Sequence, residues 1–267
     1  MSSSDQKVTF QDTYAQGPGG QLLVRAHSPK KPREAVPIIL FHDSLGSVEL
    51  WRSFPAELSA KTGRQVIAYD RLGFGRSDAS QKKLPLDFVA MEAETGFAAI
   101  RKHLGIGRFV LFGHSVGGGM AVNCAAKFSD ACVALITESA QAFVEDRTVH
   151  GIEDARELFK DKIQVNRLKK YHGEKVEWVL DAWINSWLNP AFASWSLEPV
   201  LHQVKCPILA IHGADDEYGS PRHPELIGQL SGGTTQVEIL ANTRHVPHRE
   251  REDVVISLAA AFLQALD

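Results

Sequence analysis

The pentapeptide Gly113-His114-Ser115-Val116-Gly117 constrains this chain more than any other stretch of it. It follows Arg108-Phe109-Val110-Leu111-Phe112, which reads as a buried strand. It runs into Gly118-Gly119-Met120-Ala121-Val122-Asn123-Cys124-Ala125-Ala126-Lys127, which reads as a helix. A serine between two glycines, with a strand before it and a helix after it, predicts a sharp strand–turn–helix. Such a turn lifts the hydroxyl above a sheet, at the positive end of the following helix. The flanking glycines let the backbone turn without a Cβ clash.

A serine hydroxyl is a poor nucleophile until a base takes its proton. At turns of this kind the acid, then the histidine, follow the serine in the chain. Of the eleven histidines, His245 has the expected place, a loop between the last strand-like run and the last helix. His248 is close by, but is expected to open that helix and to be exposed. The acid should follow Ile208–Ile211, where the chain turns at Gly213. Asp215 and Asp216 both qualify by type. Glu138, at the end of another strand-like run, is a third carboxylate in the right layer, as an alternative acid or a substrate contact. An oxyanion needs two backbone donors. The Val116 N–H is one, and Ser44 N–H, in the loop Phe41-His42-Asp43-Ser44-Leu45-Gly46, is the other. His42 is read as holding that loop.

The rest of the chain fits such a site. Val36–Phe41, Val66–Tyr69, Phe109–Phe112, Cys132–Ile136 and Ile208–Ile211 are short apolar runs, with Gln236–Leu240 a weaker one. Continuous rather than alternating apolar character predicts strands covered on both faces, as in a parallel sheet. Between them lie helical patterns. Over 86–104, Val89, Ala93, Phe97, Ile100 and Leu104 recur at three- and four-residue steps, and Gly105 stands where a helix would stop. Val255, Leu258, Phe262 and Leu266 share one face of a final helix. This alternation is a doubly wound α/β sheet. From 141 to 203 it breaks: charge is dense, helix formers dominate, and Trp178, Trp183, Trp187 and Trp195 cluster. This stretch is read as a helical cap, with 1–140 and 204–267 as the core.

Composition narrows the function classes. Lys and Arg total 29 against 32 Asp and Glu, so there is no basic excess for nucleic acid. No run of about 18 apolar residues or basic amphipathic stretch points to a membrane. The start, MSSSDQKVTF, is polar and is not expected to act as a secretory signal. Three cysteines without a short pair spacing argue against a disulfide framework and against a zinc site, and a reducing cytoplasm is expected. The expected partner is a small-molecule substrate, and a homo-oligomer is left open.

The ordered motifs resemble those of the α/β-hydrolase fold superfamily over nearly the whole chain. Besides the serine turn, Asp70-Arg71-Leu72-Gly73-Phe74-Gly75-Arg76-Ser77 matches the family's D-x-x-G-x-G-x-S turn. Gly213, Asp216 and Pro221 match its G-x-x-D-x-x-x-x-P acid turn, and His245 its late histidine. The layout is similar to bacterial esterases, meta-cleavage-product hydrolases and valacyclovir hydrolase. The resemblance implies a mostly parallel eight-stranded sheet with helices on both faces and a helical cap between strands six and seven. It also implies a cofactor-free, metal-free acyl-enzyme mechanism, and favours Asp216 as the acid. One departure stands out: the family usually has His-Gly where this chain has His42-Asp43. Similar enol-lactone hydrolases carry Asn there, so a polar residue is tolerated.

The expected function is that of a serine hydrolase cleaving a carboxylic ester, with Ser115, Asp216 and His245 as the triad. Asp43, Glu138, Trp183 and Trp187 are the candidate substrate contacts. The clustered tryptophans predict an apolar pocket for a small or medium, aromatic or branched substrate. The same triad would serve C–C, lactone, thioester or amide hydrolysis. A ligand-sensing hydrolase-like receptor with very slow turnover is the alternative from another class.

Overall fold

The computed structural model describes residues 8–33 and 35–266. Most of the polar start, residues 1–7, lies outside the described residues. Eight strands form one sheet in the order β1-β2-β4-β3-β5-β6-β7-β8. They are β1 (Thr9–Gly17), β2 (Gly20–Ser28), β3 (Ile38–Phe41), β4 (Val66–Tyr69), β5 (Phe109–His114), β6 (Cys132–Glu138), β7 (Ile208–Gly213) and β8 (Thr235–Leu240). β1 and β2 form a hairpin, and β2 meets β4 antiparallel; from β4 to β8 all pairing is parallel.

Side chains alternate across the sheet and fill two cores. Ile39, Phe41 and Leu111 face the layer made by α3 (Gly96–Leu104), α4 (Val116–Lys127) and α9 (Arg222–Leu230). Ile38, Leu40, Val110 and Phe112 face α1 (Phe54–Thr62) and α11 (Glu252–Gln264), where Phe54, Leu58, Val255 and Ala259 are buried. With both faces covered, β3, β4 and β5 are buried throughout, which is why they read as unbroken apolar runs. Burying each such side chain contributes roughly 1.5–3 kcal/mol.

Two elements differ from expectation. The pattern over 86–104 is not one helix: α2 (Phe88–Met91) and α3 are separate, because the chain turns Glu92 inward to accept a hydrogen bond from the Tyr69 hydroxyl at 2.6 Å. The apolar positions Val89, Ala93, Phe97 and Ile100 still face the core, and Gly105 ends α3 with φ of 64°. The β1–β2 hairpin, by contrast, had no counterpart among the apolar runs.

Between β6 and β7 lie α5 (Asp146–Leu158), α6 (Lys162–His172), α7 (Val176–Trp187) and α8 (Glu198–Leu201). These helices reach over the carboxyl ends of the strands. His172 is within hydrogen-bond distance of the Leu45 carbonyl at 3.0 Å, and Thr148 donates to that of Tyr218 at 2.6 Å. β3 pairs with β4 on one side and β5 on the other, so the chain changes direction there. In open parallel sheets the crevice at such a point is where ligands bind. No helix among the described residues is long and apolar enough to cross a membrane.

Candidate active site

Ser115 sits between β5 and α4 with φ of 57° and ψ of −127°, a backbone conformation that is costly for a residue with a Cβ. The positive φ thus falls on the serine, and the glycines serve close packing. A Cβ on Gly113 would lie 2.3 Å from the Gly117 carbonyl oxygen, and one on Gly117 would lie 2.3 Å from that of Phe41. This contact presses α4 against β3 and carries the serine above the sheet.

β7 and β8 supply the partners. His245 Nε2 is 3.0 Å from Ser115 Oγ, and His245 Nδ1 is 2.8 Å from Asp216 Oδ2. Nδ1–H donates to the carboxylate, so Nε2 is free to accept the serine proton. Asp216 Oδ1 also accepts the Tyr218 and Gly219 N–H groups, at 2.8 and 3.1 Å. Burial pushes the Asp216 carboxyl up, but the adjacent His245 and those hydrogen bonds hold it down at about 2. Burial disfavours the His245 imidazolium, yet the Asp216 charge and hydrogen bond outweigh it and raise the histidine above its ordinary value. Asp215, one residue before Asp216, is exposed.

Ser44 and Ser115 line the same cavity. Neither the Ser44 N–H nor the Val116 N–H donates to a backbone carbonyl among the described residues. His42 braces this loop: its ring nitrogens lie against Arg71, which donates to the Asp43 carbonyl at 2.8 Å. Ser115 Oγ has a second acceptor, Gln141 Oε1, at 3.3 Å.

Glu138 is not where a substrate contact would lie. It is fully buried beneath the site, off the cavity wall, and accepts a 2.6 Å hydrogen bond from His248 Nδ1. The same pairing corrects the expectation for His248, which opens α10 (Pro247–Glu250) but is only 3% exposed. A buried carboxylate at the end of β6 needs a donor, and the first turn after the His245 loop supplies one. Glu138 therefore pairs with His248, not with His245.

The cavity measures about 240 Å³. Asp43, Trp183 and Trp187 line it. Trp178 instead packs against Gly73 and Phe74, and Trp195 stacks on Phe192. Sequence reasoning missed Gln141, Thr148, Glu217 and Tyr218 on the wall. Tyr218 lies edge-on to the His245 ring at 4.8 Å, and Glu217 Oε2 accepts the His245 N–H at 3.2 Å. The adjacency of both to Asp216 was the only signal available.

All three cysteines are buried and free. His114, Glu138 and His248 lie close enough together to hold a metal ion. Hydrogen bonds already occupy one nitrogen of each histidine and one oxygen of the carboxylate.

A family model described as alpha/beta hydrolase fold matches residues 36–164. A (lyso)-N-acylphosphatidylethanolamine lipase of Bos taurus is 36% identical over 100 residues, covering 37% of this chain and 28% of that protein. The chain thus matches less than a third of that relative's length. The bifunctional esterase/perhydrolase DCH of Acinetobacter calcoaceticus is 28% identical over 218 residues, covering 70% of this chain and 76% of that protein. Among solved structures, a membrane phospholipase A described as a bacterial virulence factor superposes with a TM-score of 0.76 at 19% identity, over 96% of this chain and 86% of that one. The eight-stranded sheet and the family match over 36–164 together show that this chain has the α/β-hydrolase fold.

Proposed function

We propose that the chain is a serine hydrolase that cleaves a carboxylic ester of a small or medium, aromatic or branched substrate through an acyl-enzyme. The observation that carries this reading is the continuous contact Ser115–His245–Asp216, at 3.0 and 2.8 Å, opening into a single cavity. Ser115 Oγ attacks the carbonyl carbon while His245 Nε2 takes its proton. Asp216 holds the tautomer and stabilises the imidazolium that forms. The Ser44 and Val116 N–H groups receive the oxyanion. His245 returns the proton to the leaving alkoxide, and water then releases the acid by the same steps in reverse roles.

The cavity is below the usual volume of small-molecule sites, about 300–1,000 Å³, and favours short acyl groups over long chains. An esterase among the relatives supports the ester bond, and the three free thiols suit a cytoplasmic setting. The test is kcat/KM for p-nitrophenyl esters of graded acyl length, with lactones, thioesters and amides beside them. Preference for a short aromatic or branched ester is expected. A long-chain optimum, faster turnover of another bond, or near-zero release after one acylation would overturn the reading.

A further inference from the structure

The charge of the cavity is one-sided. Two carboxylates, Asp43 and Glu217, line it, and neither lysine nor arginine does. Glu217 is partly compensated by Arg244 at 3.5 Å and by the His245 N–H. Asp43 is not. The contacts it receives from His42 and Arg71 end on its main-chain carbonyl, and its carboxylate oxygens accept no hydrogen bond among the described residues. Those oxygens are also absent from the polar atoms sealed inside the protein. Burial pushes the Asp43 carboxyl up, but the surrounding His114, His42 and Arg249 hold it at about 2, so it is ionised at neutral pH.

An ionised, unpaired carboxylate directly before Ser44 is a liability for a neutral ester. The oxyanion that the Ser44 N–H would receive carries the same charge, and at short range the two repel. A cation on the substrate reverses that sign. It pairs with the carboxylate in the ground state and stabilises the oxyanion as it forms. The lining also includes Trp183, Trp187 and Tyr218, aromatic residues of the kind that favour a cation.

We propose that the substrate carries an ammonium group close to its scissile carbonyl, held by Asp43 against the aromatic wall. The inference rests on the ester-hydrolase reading for its chemistry, but binding tests it separately.

The kinetic test compares two benzyl esters that differ only in an α-ammonium group, those of phenylalanine and of 3-phenylpropanoic acid. We expect kcat/KM at least tenfold higher for the ammonium ester. In Asp43→Asn that ratio should fall at least fivefold, and in Asp215→Asn, an exposed neighbour of the site, it should stay as in wild type. A wild-type ratio of one or below, or a ratio that survives Asp43→Asn, overturns the proposal. The binding test uses isothermal titration calorimetry with 2-phenylethylammonium and with neutral 3-phenylpropan-1-ol. Tighter binding of the cation, weakened by Asp43→Asn in a protein of unchanged circular dichroism, supports it even if neither ester turns over. That combination would sink the ester reading alone. Equal or tighter binding of the alcohol sinks the cation proposal alone.

Discussion

His114 donates its Nε2–H to the main-chain carbonyl of His245 at 2.8 Å. A carbonyl can only accept, so this contact fixes the His114 tautomer. It also ties the residue before the serine to the residue facing it. Burial holds His114 at about 4, so the ring is neutral when the proposed base is working. His114→Leu removes the tie without adding a charge. We expect kcat to fall by about ten- to a hundredfold, the scale of a misplaced catalytic group, with KM less affected. Steady-state kinetics at neutral pH checks this, and an unchanged kcat would contradict it.

Ser115→Ala should abolish turnover, by at least about 10³-fold, while leaving the fold intact. A fluorophosphonate probe should label the wild type and not the variant. Labelling that persists at Ser44 or Ser77 would remove Ser115 from the mechanism.

Asp216→Asn should cost about 10⁴ in kcat, because an amide no longer holds the His245 tautomer. Asp215→Asn, at an exposed position, should stay within about twofold. Comparable losses at the two positions would refute the assignment.

The pH dependence follows from the signs of the shifts. His245 must be neutral to act, and its pKa is raised, so the acid limb of kcat/KM should lie above that of an ordinary histidine. Asp43 contributes to that elevation, so Asp43→Asn should move the limb down. For stability the carboxylates act the other way. Asp216, and Glu145, which accepts the Ser220 N–H at 2.6 Å, are held at about 2, below their unfolded values, so their contribution is present above about pH 4 and is lost as the pH falls towards 2. Urea midpoints between pH 5 and 2 should show the decline, and a flat profile would contradict it.

His248→Ala strands Glu138 as a buried carboxylate without its donor. Breaking such a pair costs about 3–5 kcal/mol. For a chain of this size that is a fall in Tm on the order of 10 °C. Glu138→Gln with His248→Gln, which removes the charge and leaves two amides able to hydrogen-bond each other, should recover much of it. Thermal denaturation followed by circular dichroism distinguishes the two.

What the sequence revealed depended on burial. β3 to β7 carry their core on both faces, so their apolar runs stand out, and the run Val66–Tyr69 coincides with β4. β1 is an edge strand with Phe10 and Tyr14 exposed, and it offers no continuous apolar run to recognise. Ser115 and His245 were legible because a strained turn and a loop between strand and helix both leave marks in composition. Asp216 needed the family's spacing, since Asp215 is the same residue type and only folding separates a buried carboxylate from an exposed one. Glu138 and His248 misled separately because their meaning lies in the pair, 110 residues apart. No local pattern records a contact at that distance.

The proposed nucleophile and its base are separated by 130 residues, and β6, β7, β8 and the whole helical insert lie between them. During synthesis the serine turn therefore emerges long before His245 can face it. Until β8 has paired with β7 and brought its loop back beside β5, the growing chain holds a serine without a base. On the proposed mechanism, reactivity would wait for β8 to pair with β7, a non-local contact of the slow-forming kind.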